Sequence, residues 1–346
     1  MPDKPLFFDL DQPQLREYFQ SISEPGYRVD QVWQAFYKNL VSAPAEISAI
    51  PKALREKLQI DFDFQHLTPS DRLKSSDGET MKTLFALPDG LKIETVYMRY
   101  EERQSICVST QAGCAMGCVF CATGQMGFQR NLTSGEIVEQ VLHFARELVA
   151  IDQKVTNIVL MGMGEPFHNY DSVMAAIHRL NDPEGMNLGM RRFTISTVGI
   201  VPMILRFAAE DLQVNLAISL HAANDGLRST LLPVNKKYPL NELLDGCREY
   251  IRATNRRITF EWALIQGIND STLDALELSR LVKGLLCHVN LIPLNPTHAY
   301  PGMATTRERA LEFKGILDEG GIPCTIRLRR GIDIQAGCGQ LAARND

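Results

Sequence analysis

Three cysteines within eight residues form the most concentrated set of potential metal ligands in this chain. Cys114, Cys118 and Cys121 follow the pattern C-x3-C-x2-C in a glycine-containing loop. Thiolates favour zinc or an iron–sulfur cluster. A structural zinc site ordinarily has four protein ligands, and the nearby His143 falls on a predicted helix, so no second ligand pair completes one. Three thiols suit a four-iron cluster whose open iron binds a small molecule and passes it an electron.

The elements that would position this cluster alternate regularly from residue 105 onward. Six short apolar runs are separated by longer amphipathic segments, and a seventh run lies near the C-terminus: SICVST, TNIVLMGM, RFTISTVGI, VNLAISLHA, ITFEWALI, HVNLIPLNP and PCTIRLRRG. Residues 133–150 have a helical period and a capping box formed by Thr133 and Glu136. Two further helix starts are predicted, at Ser271 with Asp274 and at Thr305 with Glu308. Six strand–helix units predict an α/β fold with a parallel sheet, either an open wound sheet or a barrel.

Polar or reactive residues fall where five of the six predicted strands end. They are Cys114, residues 162–165, residues 196–197, residues 219–221 and Asn295. In a parallel α/β barrel the chemistry lies at the carboxyl ends of the strands. This pattern therefore predicts an active-site rim, although ordinary loop polarity would explain any one of these positions.

The first hundred residues are predicted to form an accessory region. Residues 1–60 predict a small helical domain, in which Val32, Trp33 and Phe36 share one helix face. Residues 61–104 predict a polar linker and a β-hairpin turning at Pro88-Asp89-Gly90. We assign residues 105–335 to the barrel and residues 336–346 to a C-terminal tail.

Composition excludes several classes of protein. The 346 residues carry 36 basic and 41 acidic side chains, a net charge of −5, so any nucleic-acid site must be a local basic patch. No apolar run is long enough to span a membrane, and the N-terminus lacks a signal peptide. Eight cysteines are too few for a secreted disulfide scaffold. These features predict a cytoplasmic protein with reduced thiols.

The cysteine loop resembles the signature of the radical S-adenosylmethionine (SAM) superfamily, including the aromatic Phe120 before the last cysteine. In that superfamily the open iron is chelated by SAM, and reductive cleavage of SAM produces a 5′-deoxyadenosyl radical. Gly162-Met163-Gly164-Glu165 resembles the glycine-rich strand end that contacts the methionine amine. The resemblance implies one [4Fe-4S] cluster and SAM as cofactors.

Five longer motifs narrow the resemblance to the RlmN/Cfr family of RNA adenine methyltransferases. They run in the family's order from about residue 20 to 342: QAGCAMGCVFCATGQMGFQRNLTSGEIVEQV, MGMGEPFHN, AISLHAAND, NLIPLNP and DIQAGCGQL. The family fold is an incomplete (β/α)6 radical SAM barrel with a small helical N-terminal domain and a β-hairpin extension, which agrees with the strand count.

The family carries methyl groups on a protein cysteine, because adenine C–H carbons are not nucleophiles. By motif, Cys338 resembles the methyl carrier, and Cys107 resembles the cysteine that resolves the RNA adduct through a transient disulfide. Glu94 matches a proposed proton acceptor. From the sequence pattern alone, Cys107 would be interpreted as a small core residue. Cys338 would be interpreted as an inert thiol, and Glu94 as part of a solvent-exposed hairpin face.

The resemblance also implies the SAM contacts, with two SAM molecules used per turnover. The matching positions are Gly164, Glu165, Ser196, Ser219, Leu220, His221 and Asn295. Partners implied are 23S rRNA, tRNA and an electron donor such as flavodoxin or ferredoxin, with the chain as a monomer. The phosphate contacts are predicted among these basic residues: Arg327, Arg329, Arg330 and the pairs 191–192, 236–237 and 256–257. Taken one at a time, each is explained equally well as part of a solvent-exposed face.

Two activities share this machinery. RlmN-type members methylate adenine carbon 2 in 23S rRNA and often in tRNA, whereas Cfr-type members methylate carbon 8 of the rRNA adenine and confer antibiotic resistance. Pro166 after Glu165 matches the RlmN type, while Gln335 departs from the usual aspartate near the carrier. A glycyl-radical activase and a non-catalytic iron–sulfur or zinc module remain as alternatives, although the first would give Cys107 and Cys338 no purpose.

Overall fold

A computed structural model describes residues 4–343 of the chain. In those residues the strands, β1 to β12 in chain order, are Thr68–Lys74, Thr80–Ala86, Lys92–Arg99, Gln104–Cys107, Gln111–Gly113, Phe128–Asn131, Asn157–Leu160, Phe193–Thr197, Asn215–Ser219, Ile258–Leu264, Cys287–Pro293 and Cys324–Ile326. The α-helices, α1 to α11, are Gln12–Ser21, Tyr27–Tyr37, Lys52–Asp61, Ala122–Met126, Ser134–Val149, Tyr170–Asn181, Val201–Ala209, Asp225–Leu231, Leu240–Thr254, Thr272–Val282 and Arg307–Glu319. Short 3-10 turns occur at Phe7–Asp9, Pro44–Glu46, Pro166–Asn169, Met190–Arg192 and Pro233–Lys236.

Ten strands form one sheet in the order β1-β2-β3-β4-β7-β8-β9-β10-β11-β12. From β4 to β12 every neighbouring pair is parallel, and helices connect successive strands. The predicted (β/α)6 barrel with a seventh strand is therefore confirmed, and β5 and β6 form a separate small sheet. The sheet does not close on itself among the described residues, because β12 has no strand partner on its outer side.

The predicted hairpin is β2 and β3, which pair antiparallel and continue the barrel sheet through β4. The polar segment before it, however, is a strand: β1 pairs antiparallel with β2 along the sheet edge. Nearly every β1 side chain is exposed. A polar composition suits an edge strand, because such a strand is held by backbone pairing on one side and faces solvent. Its sequence has no alternation of apolar residues, so hydrophobic periodicity did not predict it.

The helix boundaries follow the capping residues of the sequence. Thr133 and Ser271 each accept a hydrogen bond from the third helical residue, so both predicted capping boxes are present. The third prediction is wrong by one residue, since Thr306 caps α11. Thr305 is instead buried, and its hydroxyl donates to Asp270 at 2.6 Å.

The N-terminal region contacts the start of α5 through the 3-10 turn Phe7–Asp9. Asp9 Oδ1 accepts from the Gly135 backbone N–H at 2.7 Å and from the Ser134 hydroxyl at 3.1 Å, at the start of α5. Trp33 and Phe36 are buried in the continuous core. None of the helices in residues 4–343 has the length and apolar character needed to cross a membrane.

Candidate active site

A cavity opens where the parallel strands end, between the cysteine loop and the C-terminal segment. Its lining includes Cys114, Cys118, Cys121, Gly164, Glu165, Ser196, Ser219, His221, Asn295 and Cys338. Ten of the thirteen predicted site residues thus meet in one space, although they span more than 220 positions of sequence. The other three, Leu220, Cys107 and Glu94, do not line it.

The cysteine loop is held by backbone contacts that leave its thiols turned toward the cavity. Gly113 has a φ of +73°, and an added Cβ would lie 1.9 Å from the Gly127 carbonyl oxygen, so only glycine fits there. The Cys114 N–H donates to that same carbonyl at 3.0 Å. Burial raises the pKa of the Cys114 thiol to about 12. A nearby cation is therefore needed to hold this sulfur as a thiolate.

The three thiols fit a cluster better than a single ion. No group of three or more His, Cys, Asp or Glu side chains within residues 4–343 converges closely enough to hold one metal ion. An iron–sulfur cluster requires less convergence, because each thiolate binds a different iron. Soft sulfur donors without a fourth protein ligand are therefore the donor set expected for a [4Fe-4S] cluster with one open iron.

The glycine-rich end of β7 places a carboxylate in the cavity. Gly164 has a φ of +102°, and an added Cβ would lie 2.6 Å from the Gln111 side chain, so the turn requires glycine. Glu165 follows, almost fully buried, and its oxygens accept from the backbone N–H groups of Phe167 at 3.0 Å and Val198 at 2.9 Å. Burial raises the pKa of Glu165 to about 7. A ligand ammonium group would supply the missing counter-charge.

His221 and Asn295 offer hydrogen-bonding atoms on the opposite wall. His221 Nδ1 accepts from the Ala263 N–H at 2.9 Å, which leaves the proton on Nε2, and burial lowers the pKa of the ring to about 3. Asn295 Nδ2 donates to the Cys338 carbonyl at 3.0 Å, whereas its Oδ1 is buried without a partner among the described atoms. An unpaired buried acceptor favours a ligand with polar hydrogens, as in SAM.

Cys338 faces the cavity from the C-terminal segment, which crosses the open side of the barrel. The Gly339 carbonyl next to it accepts from Ala122 N–H at 2.8 Å, which ties this segment to the cysteine loop. The Cys338 side chain is solvent-accessible but surrounded by protein, and desolvation raises its pKa, while Arg327 opposes that rise. Of the eight free thiols, all within residues 4–343, Cys338 alone is exposed.

Cys107 lies at the end of β4, paired in register with Val159 of β7. The nearby Met161 backbone N–H favours the thiolate form and lowers the pKa of this thiol slightly. Burial raises the pKa of this thiol to about 12; a neighbouring Cys338 adds to the rise and Arg327 reduces it. Cys107 and Cys338 are therefore close enough to interact, although both are free thiols in this structure.

Glu94 is buried, so its interpretation as a solvated hairpin residue is wrong. One carboxylate oxygen forms an ion pair with Lys82 at 2.9 Å. The other accepts from the backbone N–H groups of Ala342 at 2.8 Å and Ala343 at 3.2 Å. The side chain thus links the hairpin to the segment that follows Cys338.

Two buried charged residues in this region were not predicted. Arg228 is fully buried in α8 and donates to the carbonyls of Val198, Ser219 and Leu220, which joins the ends of β8 and β9. Glu261 of β10 lies on the cavity wall and accepts from Asn290 at 2.9 Å. Glu261 interrupts an apolar strand, and a charge in such a pattern is the signal that could have found it. The helix that contains Arg228 is mostly polar, so its sequence gave no such signal.

The predicted basic residues separate into different places. Arg327, Arg329 and Arg330 line a second cavity that reaches Cys338, and Arg191, Arg256 and Arg257 line another at the amino ends of the strands. Lys236 and Lys237 border neither. The remaining unassigned thiols, Cys247, Cys287 and Cys324, belong to the hydrophobic core.

Comparison with known proteins gives matches over nearly the whole chain. Residues 108–278 match the sequence profile of the Radical SAM superfamily, and residues 7–62 match that of the ribosomal RNA large subunit methyltransferase N-terminal domain. A probable dual-specificity RNA methyltransferase RlmN of Chloroflexus aurantiacus is 48% identical, over 98% of this chain and 93% of the relative. The dual-specificity RNA methyltransferase RlmN 1 of Myxococcus xanthus is 47% identical, over 97% and 94% respectively.

A solved structure is also similar over nearly the whole chain. The crystal structure of a radical SAM methyltransferase from Sphaerobacter thermophilus superimposes with a TM-score of 0.96 at 50% identity. The match covers 98% of this chain and 100% of that one.

Proposed function

This chain belongs to the RlmN family of radical SAM RNA methyltransferases, and we propose that it methylates carbon 2 of a specific adenine in 23S rRNA and of the adenine 3′ of the tRNA anticodon. The observation that carries the proposal is the position of Cys338, whose thiol lines the same cavity as the three cluster cysteines. Cys107 lies close enough to Cys338 to alter its own pKa. A methyl carrier and its resolving thiol need this arrangement.

Cys114, Cys118 and Cys121 would hold one [4Fe-4S] cluster. Gly164, Glu165, Ser196, Ser219, Leu220, His221 and Asn295 would bind SAM. When bound, the cluster supplies an electron, and two SAM molecules per turnover supply the methyl group and the 5′-deoxyadenosyl radical. Glu165 suits the ligand ammonium because no protein cation pairs with it among the described residues.

The protein's own thiols would handle the transferred carbon. Cys338 Sγ carries it as S-methylcysteine and joins it to the adenine. The Cys107 thiolate then attacks Cys338 Sγ, which breaks the sulfur–carbon bond and forms a Cys107–Cys338 disulfide. The electron pair of the broken bond passes to the departing carbon, which takes up a proton and becomes the methyl group of the adenine. A reductant must cleave that disulfide before the next turnover. Arg327 favours the thiolate that this attack requires, because its charge offsets part of the rise that burial causes in the pKa of both cysteines.

Glu94 would accept the proton that leaves the adenine carbon. Its carboxylate is bonded to Lys82, Ala342 and Ala343 and does not line the cavity, so movement of the C-terminal segment must first expose it. An enzyme with these RNA substrates would work in the cytoplasm. An electron donor such as flavodoxin or ferredoxin would reduce it there, and the enzyme itself would be a monomer.

Mass mapping of the modified adenine tests this proposal. Anaerobically reconstituted protein would be incubated with a reductant, labelled SAM, 23S rRNA fragments and tRNA, beside a Cys338→Ala control. Carbon-2 label that disappears in the control is the expected result. Carbon-8 label would instead show the Cfr-type reaction. That outcome is tested because Gln335, near the carrier, replaces the usual aspartate. Cleavage of SAM without RNA label would refute methyl transfer.

A further inference from the structure

Cys338 borders two cavities, one on each side of the C-terminal segment. The first is the cavity that contains the three cluster cysteines. The second, which we call the arginine cleft, has a different lining: Met98, Tyr100, Ile292, Asn295, Arg327, Leu328, Arg329, Arg330, Ala336, Gly337 and Cys338. A carrier thiol at the boundary can receive a group from one side and deliver it to the other.

The cations of the arginine cleft have little internal compensation. Arg329 is exposed and has no hydrogen bond or ion pair in residues 4–343. The Arg327 guanidinium is surrounded by protein and has no ion pair within residues 4–343; it donates one long hydrogen bond to Met161 Sδ at 4.0 Å, and its charge interacts with Cys338 and Glu261. Arg103 lines an extension of the cleft, a neighbouring cavity that shares Tyr100 and Arg327 with it, and within residues 4–343 the Arg103 guanidinium lies over the Tyr100 ring, 4.6 Å from its centroid, without an ion pair. Glu261 is the one acidic residue that lines this extension.

Arg330, unlike the other arginines of the cleft, is held in place by partners within the protein. It pairs with Glu79, donates to the Arg99 carbonyl at 2.9 Å and lies 4.3 Å from the Tyr100 ring centroid. A protein with a net charge of −5 thus places two arginines without an ion pair in residues 4–343, Arg327 and Arg329, beside its carrier thiol, and a third, Arg103, in the adjoining cavity. Such a concentration of positive charge attracts a polyanion.

Leu328 adds an apolar feature between these arginines. Its side chain is 78% exposed, more than any other large hydrophobic residue described, and it lines the arginine cleft. Proteins that displace a base from a stack insert apolar side chains between neighbouring bases. A carbon of adenine can reach a thiol only after the base leaves its stack.

We propose that the arginine cleft, together with the adjoining cavity that Arg103 lines, is the RNA-docking surface, in which Arg103, Arg327 and Arg329 contact phosphates and Leu328 occupies the space that the target adenine vacates. This inference rests on the proposed function. RNA is favoured over an acidic electron-donor protein because the methyl acceptor must reach Cys338, which the cleft exposes. An electron donor needs the cluster, whose three cysteines line only the other cavity.

RNA affinity as a function of salt tests the electrostatic part. The probe is a fluorescent RNA hairpin with an unpaired adenosine in its loop, and binding is followed by anisotropy without SAM. We expect an Arg103→Ala/Arg329→Ala variant to bind at least about fivefold more weakly and to reduce the salt slope by about 1.5, since each lost phosphate contact removes about 0.7–0.9. Both side chains are exposed, so the fold should tolerate the change.

The matched control is Arg280→Ala/Lys283→Ala, which removes two exposed, unpaired cations at the end of α10. It should bind like the wild type. Equal affinity and slope for the cleft variant and this control would overturn the inference while leaving methylation by the wild type intact. The inference is also overturned if the cleft variant keeps its RNA affinity but slows reduction of the cluster by flavodoxin.

A base analogue tests the role of Leu328 separately. The hairpin carries 2-aminopurine next to the target adenosine, and its fluorescence rises when the neighbouring base unstacks. We expect the wild type to give this rise and Leu328→Ala to lose most of it while keeping the wild-type salt slope. Leu328→Met should restore the rise. An unchanged signal in Leu328→Ala would overturn the assignment of the apolar contact.

Discussion

Two glutamates in different regions are equally buried, at 2% exposure, yet they titrate in opposite directions. Glu136, where the N-terminal helices meet α5, pairs with Arg130 at 2.7 Å and with His66, and these partners lower its pKa to about 2 against the opposing effect of burial. Glu165, in the cavity, accepts only from neutral groups, and burial raises its pKa to about 7. Burial alone therefore does not determine the state of a carboxylate.

The difference distinguishes buried polar groups that are paired within the chain from buried polar groups that are left for a ligand. Arg130 of the same chain pairs with Glu136, so the free energy of this ion pair contributes to folding. Glu165, the Asn295 oxygen and the cluster thiols have no such internal partner, so their compensation must come from a ligand. The comparison implies that matched substitutions in the two regions should move different quantities.

The largest effect is expected for Glu165→Gln. The substitution keeps the shape but removes the charge that a ligand ammonium would neutralise, so methylation should fall at least about a hundredfold, the equivalent of one to two lost charge-assisted hydrogen bonds. In the cofactor-free protein the Gln amide can accept from only one of the two backbone N–H groups that bond Glu165, but the substitution also removes an unfavourably buried charge, so the free energy of unfolding should not fall by more than about 1 kcal/mol. Activity assays and urea denaturation would check both. A large loss of stability would contradict the comparison.

Glu136→Gln should do the reverse. Removing the charge leaves Arg130 and His66 underpaired and should lower the free energy of unfolding at neutral pH by about 3 kcal/mol, the value of the pKa shift from 4.5 to about 2. Because the folded pKa is depressed, this contribution is complete above pH 4.5 and disappears as pH falls through about 2. Wild-type and variant stabilities should therefore converge in acid. SAM binding by the folded variant should match the wild type.

The smallest effect sharpens the comparison at the same interface without changing charge. In Gly135→Ala the new Cβ would lie 2.6 Å from Leu6 Cδ2 and 2.8 Å from the Asp9 nitrogen, so the N-terminal helices must shift, at a cost of about 1–3 kcal/mol. Gly315→Ala, within α11, has no atom within 4 Å of its Cβ and should be neutral or stabilising by up to about 1 kcal/mol. Identical melting of the two variants would show that this contact is not tight.

Local patterns predicted much of the fold. The alternation of strands and helices, two capping boxes and the hairpin all depend on residues near one another in sequence, and the structure contains each of them. The edge strand β1 escaped because its polar side chains face solvent and give no periodic signal. Thr305 was misassigned as a cap because Thr306 beside it could cap the same helix.

The sequence by itself determined the cluster loop, since Cys114, Cys118 and Cys121 lie close enough along the chain to meet in any compact fold. It also identified the family, because the motifs extend over almost the whole chain. Only the tertiary structure decided that Glu94 is buried beneath Ala342, nearly 250 residues away, and that Cys338 divides two cavities of different charge. These properties arise from contacts between distant segments, and no local pattern encodes which side of the barrel each segment will cross.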